Sequence, residues 1–106
     1  MSKDALQSDL CADRLKALSE PLRLRIVDAL RNGPKNVSDL ADLLGVEIVT
    51  LSHHLGILRN AHLLEKERQG RFIVYRLHHE VFQKAPGGRV NEHIDLGCCR
   101  LEIPKS

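Results

Sequence analysis

The apolar residues of this chain change period once, after His62, and that change limits the folds open to it. Up to residue 60, leucine, isoleucine and valine recur at intervals of three and four, the mark of amphipathic helices. From residue 63 to 77, "LLEKERQGRFIVYRL" alternates instead, the mark of paired strands. A chain of 106 residues has room for one core. Helices and strands must therefore pack on each other, and residues 1–106 are expected to form a single domain, mainly α with a small β component.

The helical half divides at its caps and breakers. Residues 5–18, "ALQSDLCADRLKAL", place Leu6, Leu10, Cys11, Leu15 and Leu18 on one stripe. Ser19 is the expected N-cap of a second helix, with Glu20 and Pro21 in its first turn and Leu22, Ile26, Val27 and Leu30 inward. "NGP" at 32–34 ends it. "NVSDLADLLGV" reads as a short helix capped by Ser38, with Leu40, Leu43 and Leu44 inward and Gly45 turning the chain. A fourth helix runs from near Glu47 to about Asn60, with Ile48, Leu51, Leu55 and Leu58 inward. Two short helices joined by a glycine turn make a helix-turn-helix, about 37–60.

The alternating segment turns at Gln69–Gly70. Phe72, Val74 and Arg76 fall on one side, and Ile73, Tyr75 and Leu77 on the other. A basic-tipped hairpin over about 63–77, following a helix-turn-helix, specifies a winged helix far better than either part alone. "HHEVFQK" then suggests a further helical turn or two, and "APGG" at 85–88 breaks the chain.

Composition excludes more than it selects. No apolar run approaches the ~18 residues of a membrane helix. The polar start "MSKDALQSD" lacks a signal-peptide hydrophobic region. A cytoplasmic protein without a membrane partner is expected, its three cysteines as thiols. Net charge is +2. Residues 1–47 carry seven Lys/Arg and eight Asp/Glu, whereas residues 48–106 carry nine and six. Arg59, Lys66, Arg68, Arg71 and Arg76 form a modest basic stretch, compatible with phosphate contact or with a solvated surface.

Residues 15–77 resemble the arsenic-repressor (ArsR/SmtB) family of bacterial winged-helix sensors. "LKALSEPLRLRIVDAL" and "NVSDLADLLGVEIVTLSHHLGILRNAHLLEKERQGRFIVYRL" carry the likeness, and "LSHHLGILRNAHLL" before a basic tip and "YRL" is its most specific part. The resemblance implies a homodimeric repressor that binds a double-stranded operator, an imperfect inverted repeat, and releases it on meeting an inducer. The helix at 47–60 would then enter the major groove, where base edges are displayed. Thr50, Ser52 and His53 would contact DNA, with Arg59 beside them and Arg68 and Arg71 at the wing tip on phosphate or minor groove. Ser52 could instead bond its own helix backbone. His54, next to inward Leu55, is expected to pack. Glu47, a carboxylate facing phosphate, fits better as a cap at the positive end of the helix dipole.

The resemblance also implies where inducers bind, and two of those places are empty here. The first helix of the helix-turn-helix lacks the family's Cys-x-Cys pair. The region after "APGGR" lacks paired Asp/His and His/Glu ligands at helical spacing. Adjacent Cys98 and Cys99 remain, with Cys11 the one further thiol. Some members similarly use neighbouring cysteines near a terminus, completed by a third thiol. Soft ions suit such ligands, and trivalent arsenic or antimony takes three thiolates. Alternatives are zinc or cadmium with His78, His79 or His93, and thiol oxidation or persulfide sensing, with Cys11 as the better partner in a disulfide than an immediate neighbour.

The tail itself, "EHIDLGCCRLEI", puts apolar residues first on even and then on odd positions. A two-residue turn at Gly97–Cys98 removes the conflict and sets Leu96 against Cys99, Asp95 against Arg100, Ile94 against Leu101 and His93 against Glu102. A short C-terminal β-hairpin is thus expected in place of the family's usual last helix, within a tail of 85–106. A single strand bulged at Gly97 is the competitor. A thiol enzyme is disfavoured, because Cys-x-x-Cys, a phosphate-cradling glycine loop and a βαβ unit are all missing. A winged-helix protein–protein module stays open on the weak net charge.

Overall fold

The computed structural model describes residues 4–81 and 93–102. They form helices α1 (Ser8–Leu18), α2 (Pro21–Leu30), α3 (Val37–Leu44) and α4 (Ile48–Asn60). Strands β1 (Lys35–Asn36), β2 (Leu64–Gln69) and β3 (Phe72–Leu77) make an antiparallel sheet in the order β1-β3-β2. β4 (His93–Asp95) and β5 (Arg100–Glu102) make a separate ribbon. This is the expected winged helix-turn-helix. Among the described residues no single helix is long and apolar enough to cross a membrane.

The helix starts differ from the sequence expectation, each for a local reason. α1 begins at Ser8 because Asp4 caps it from outside: its carboxylate accepts from the Ser8 backbone N–H at 2.8 Å and from the Ser8 hydroxyl at 2.9 Å. Those bonds hold the Asp4 carboxyl below its ordinary pKa. Leu6 consequently lies before the helix and, like Leu15, faces outward, while Cys11, Ala17 and Leu18 are buried. At α2, Glu20 takes the role expected of Ser19. Pro21 occupies the first turn, so the residue just before it is the cap, and Glu20 accepts from the Arg23 N–H at 3.0 Å. At α3 the cap is Asn36, not Ser38, since pairing of β1 with β3 carries extended backbone up to Asn36, whose Oδ1 accepts from the Asp39 N–H at 2.8 Å.

Leu51, Leu55 and Leu58 of α4 are fully buried with Ile26, Val27 and Leu40, each large aliphatic side chain contributing about 1.5–3 kcal/mol. Gly45, at φ 67, closes α3 in the left-handed conformation the turn needs. Leu43 and Ile48 do not join the core as expected. Short α3 buries Leu40 and Ala41, and Leu43 falls off that stripe; Ile48 projects from the first turn of α4 beyond its packed face.

In the wing, Gln69 pairs with Phe72, so the two turn residues are Gly70 and Arg71 rather than Gln69 and Gly70. The register follows from Gly70, whose φ of 63 suits the first central position of a two-residue hairpin turn. β3 buries neighbouring Val74 and Tyr75: Tyr75 joins the main core, and Val74 is flanked in this middle strand by Asn36 and Glu67. β1, which periodicity could not reveal at two residues, gives it the second neighbour. After β3 the Val81 N–H reaches the His78 carbonyl at 3.0 Å and closes one turn. The rest of "HHEVFQK" and "APGG" lie outside the described residues.

The tail forms the hairpin and not the bulged strand. His93 faces Glu102, Ile94 faces Leu101 and Asp95 faces Arg100. The Leu96 N–H bonds the Cys99 carbonyl at 2.9 Å around Gly97, whose φ is 86.

Candidate nucleic-acid interface and thiol cluster

α4 shows its core leucines to one side and a mixed polar and apolar face to the other. Thr50, Ser52, His53 and Arg59 are all exposed. Arg68 and Arg71 are exposed at the wing. The Arg68 Nε donates to the Gly70 carbonyl at 3.1 Å, and the Arg71 guanidinium lies 5.6 Å from the Phe72 ring centroid. Arg76 is not available in the same way, being ion-paired to Glu67 across the hairpin. His54 packs as expected: its Nδ1 lies 3.3 Å from Arg23 Nη1 and 3.7 Å from Glu20 Oε2, which ties α4 to the start of α2. Glu47 occupies the N-cap position of α4, but its side chain makes no capping hydrogen bond. Sequence reasoning overlooked Val49, which is 80% exposed at the N-terminal end of the same helix. Its direction opposite the buried leucine stripe could have been read from the helical period.

α1 and the tail hairpin bring all three cysteines together. Their sulfur atoms lie within 4.8 Å of one another. Cys11, 3% exposed, and Cys98 are joined as a disulfide, with Cα atoms 5.8 Å apart and 87 residues of separation. Cys99 is a free thiol whose Sγ lies 3.1 Å from that of Cys11. The structure thus replaces the expected three thiols by a disulfide and one thiol. Residues placed next to one another by the hairpin turn can both reach the same helix residue.

Arg14 explains why the hairpin docks there. It lies one helical turn beyond Cys11, and its Nη1 donates to the Leu96 carbonyl. A Cβ on Gly97 would stand 3.0 Å from that same nitrogen, so glycine serves the close approach as well as the positive φ. Leu96 and Ile94 bury their side chains in the main core, and Cys98, Cys99 and Leu101 pack against it.

The histidines expected as alternative ligands lie elsewhere. The ring nitrogens of His78 and His79 gather with Glu65, forming a group separate from the sulfurs among the described residues. Glu65 Oε1 accepts from the His79 backbone N–H at 3.0 Å and contacts the His79 ring, and His78 Nδ1 accepts from the Glu80 N–H at 3.2 Å. These bonds form a clasp across the base of the wing. The His79 bonds hold the Glu65 carboxyl below its ordinary pKa. His93 pairs opposite Glu102 in the ribbon and belongs to neither group.

Residues 20–66 match the family described as "Bacterial regulatory protein, arsR family". The chain is 42% identical over 88 residues to the HTH-type transcriptional regulator NmtR of Mycobacterium tuberculosis, spanning 81% of this chain and 73% of the relative. It is 36% identical to the transcriptional repressor SdpR of Bacillus subtilis, spanning 72% of this chain and 84% of that one. Its fold is similar to the solution structure of a homodimeric winged helix-turn-helix DNA-binding domain from Mycobacterium bovis, a possible ArsR-family transcriptional regulator. That match has a TM-score of 0.67, 33% identity and 73% coverage of both chains. The family and these relatives are transcriptional regulators and not enzymes. With a winged helix-turn-helix fold and relatives aligned over most of its length, the chain belongs to the arsR family of DNA-binding bacterial regulatory proteins.

Proposed function

We propose that the protein is a homodimeric repressor that holds an inverted-repeat operator and lets it go when a thiophilic inducer binds Cys11, Cys98 and Cys99. In this reading α4 lies in the major groove and presents Thr50, Ser52 and His53 to base edges, with Arg59 close to the groove wall. Arg68 and Arg71 meet phosphate or the minor groove and set the register of the protein on the duplex. Exposed Leu6, Leu15 and Leu24 are aliphatic side chains that a second copy would cover, in keeping with the homodimeric relative.

The observation that carries the inducer assignment is the convergence of three sulfurs from two distant parts of the chain. Reduced, they offer three thiolates within 4.8 Å of one another, the donor set that trivalent arsenic or antimony takes up. The sulfur cluster contains no histidine among the described residues, which favours this over a mixed zinc or cadmium site. Ligation would fix the hairpin to α1 in one geometry. If α1 also contributes to the dimer contact, that geometry biases the spacing of the two α4 helices and lowers operator affinity.

The Cys11–Cys98 disulfide supports a second reading, a redox-responsive repressor. Oxidation by a hydroperoxide would remove two electrons and two protons from the Cys11 and Cys98 thiols and reduce the oxidant to water and an alcohol. Thiolate exchange from Cys99 could then move the bond to Cys11–Cys99 and release the Cys98 thiolate.

A gel shift with DNA flanking its own reading frame, on fully reduced protein, separates these readings. Arsenite or antimonite is expected to release the DNA at stoichiometric concentration, with zinc and cadmium far weaker. Release by hydroperoxide alone transfers the assignment to the redox reading. Absence of DNA binding overturns the repressor itself.

A further inference from the structure

Within the first turn of α4 stand two exposed apolar β-branched residues, Ile48 at 50% and Val49 at 80%. Three and four residues after Val49 come Ser52 and His53, so the three side chains share one face of the helix. Advancing about 100° per residue, the direction opposite Leu51, Leu55 and Leu58 falls between Val49 and His53. Val49 is therefore near the centre of the outward face and not on its margin. Gly56, two turns beyond Val49 on that face, has nothing within 4 Å of an added Cβ. Packing does not demand a glycine there, although glycine weakens a helix interior relative to alanine. The result is a face with an apolar knob at its N-terminal end and a flat stretch past His53.

We infer that Val49 is a specificity-determining residue that reads the C5-methyl group of a thymine in each operator half-site. The inference rests on the DNA-binding reading above. An apolar side chain in water gains nothing from a hydrated phosphate or a polar base edge. The major-groove floor of unmodified DNA offers one apolar group, the thymine methyl. The residues of a recognition helix that meet base edges are those at its N-terminal end, where Val49 stands. The polar neighbours Ser52 and His53 serve adjacent base pairs, and the bare Gly56 lets the helix lie close enough for a short side chain such as valine to touch the floor.

The test uses the full chain and a randomised 30-base-pair duplex library. Sequences enriched by the reduced protein are resynthesised with each thymine in turn replaced by deoxyuridine, which removes the methyl and leaves pairing intact. One thymine per half-site is expected to lose about fourfold in affinity on replacement, the worth of one buried methyl. Val49→Ala is expected to bind the thymine duplex more weakly by a similar factor and to show no further loss with deoxyuridine. Val49→Thr, which keeps one methyl, falls between. Being largely exposed, Val49 can be changed without disturbing the core, and thermal unfolding of each variant checks this. If an operator is enriched but wild type and Val49→Ala respond identically to every deoxyuridine replacement, the inference is overturned while DNA binding stands. If no sequence is enriched, the DNA-binding reading falls and this inference with it.

Discussion

Thr50, Ser52 and His53 are close neighbours in the chain and stand in water, whereas Cys11 and Cys98 are 87 residues apart and lie against the core. The base-reading part of the proposed DNA face needs one helix, α4, to form and face outward. The sulfur cluster needs α1, the hairpin turn at Gly97 and the Arg14 bond to Leu96 all in place. A surface made from one element tolerates change elsewhere; a site closed across the whole chain reports on the state of both its ends. That asymmetry suits the proposed repressor, in which the DNA-reading face stays constant while the thiol site changes state.

The largest effect that would test the asymmetry is on stability. Cys11→Ser removes the link between α1 and the hairpin. Under oxidising conditions urea unfolding should show the variant less stable than wild type by about 2–4 kcal/mol, because the disulfide closes a long loop. In excess reductant the gap should shrink to well under half. A gap that ignores reductant would mean Cys11 acts by packing alone. In gel shifts the variant should lose at least about tenfold of its response to arsenite while keeping operator affinity within about twofold. If operator affinity fell with the response, the two regions would not be separable.

The converse change acts on the other region. Arg68→Ala with Arg71→Ala should weaken binding to every DNA sequence alike. The slope of log affinity against log salt should fall by about one for each phosphate that is no longer neutralised. The ratio of affinities with and without inducer should not move. A change in sequence preference would instead place these side chains on bases.

How legible each region was in the sequence follows from the same contrast. The leucines at 51, 55 and 58 identified the buried side of α4, and so its exposed side, because helical period is a local property. The hairpin register was legible because the parity change across Gly97 has one tidy solution. The caps were less so: Asp4, Glu20 and Asn36 compete with Ser19 and Ser38 on equal chemical terms, and the choice depends on where β1 and Pro21 start the helical backbone. Leu43 and Ile48 stand at helical spacing from the inward leucines and so read as core, yet both are exposed. The docking of the hairpin on α1 through Arg14 has no periodic signature, since a long-range bond between a guanidinium and a carbonyl leaves no trace in local spacing. Likewise the grouping of His78 and His79 with Glu65 depends on strand register.

That last group makes the smallest prediction and bounds the DNA-facing region from the side of the wing. The Glu65 carboxyl is held below its ordinary pKa first by the His79 backbone N–H and then by the His79 ring. A carboxyl depressed by folding contributes stability that is complete above its unfolded pKa and is lost as pH falls through its folded value. Wild type should therefore exceed Glu65→Gln in stability at neutral pH, and the difference should fade in acid below the ordinary glutamate range. His79 is 74% exposed, so solvent screening keeps the difference to about 1 kcal/mol or less. Paired urea titrations of the two proteins from neutral pH to acid measure it, and a difference that grew toward acid would show that the clasp is not held by the ionised carboxylate. Because the clasp joins the start of β2 to the segment after β3, its loss should also loosen the wing. Hydrogen exchange of the β2–β3 amides in Glu65→Gln should then speed up, while the amides of α1 and of the hairpin at Gly97 keep their wild-type rates.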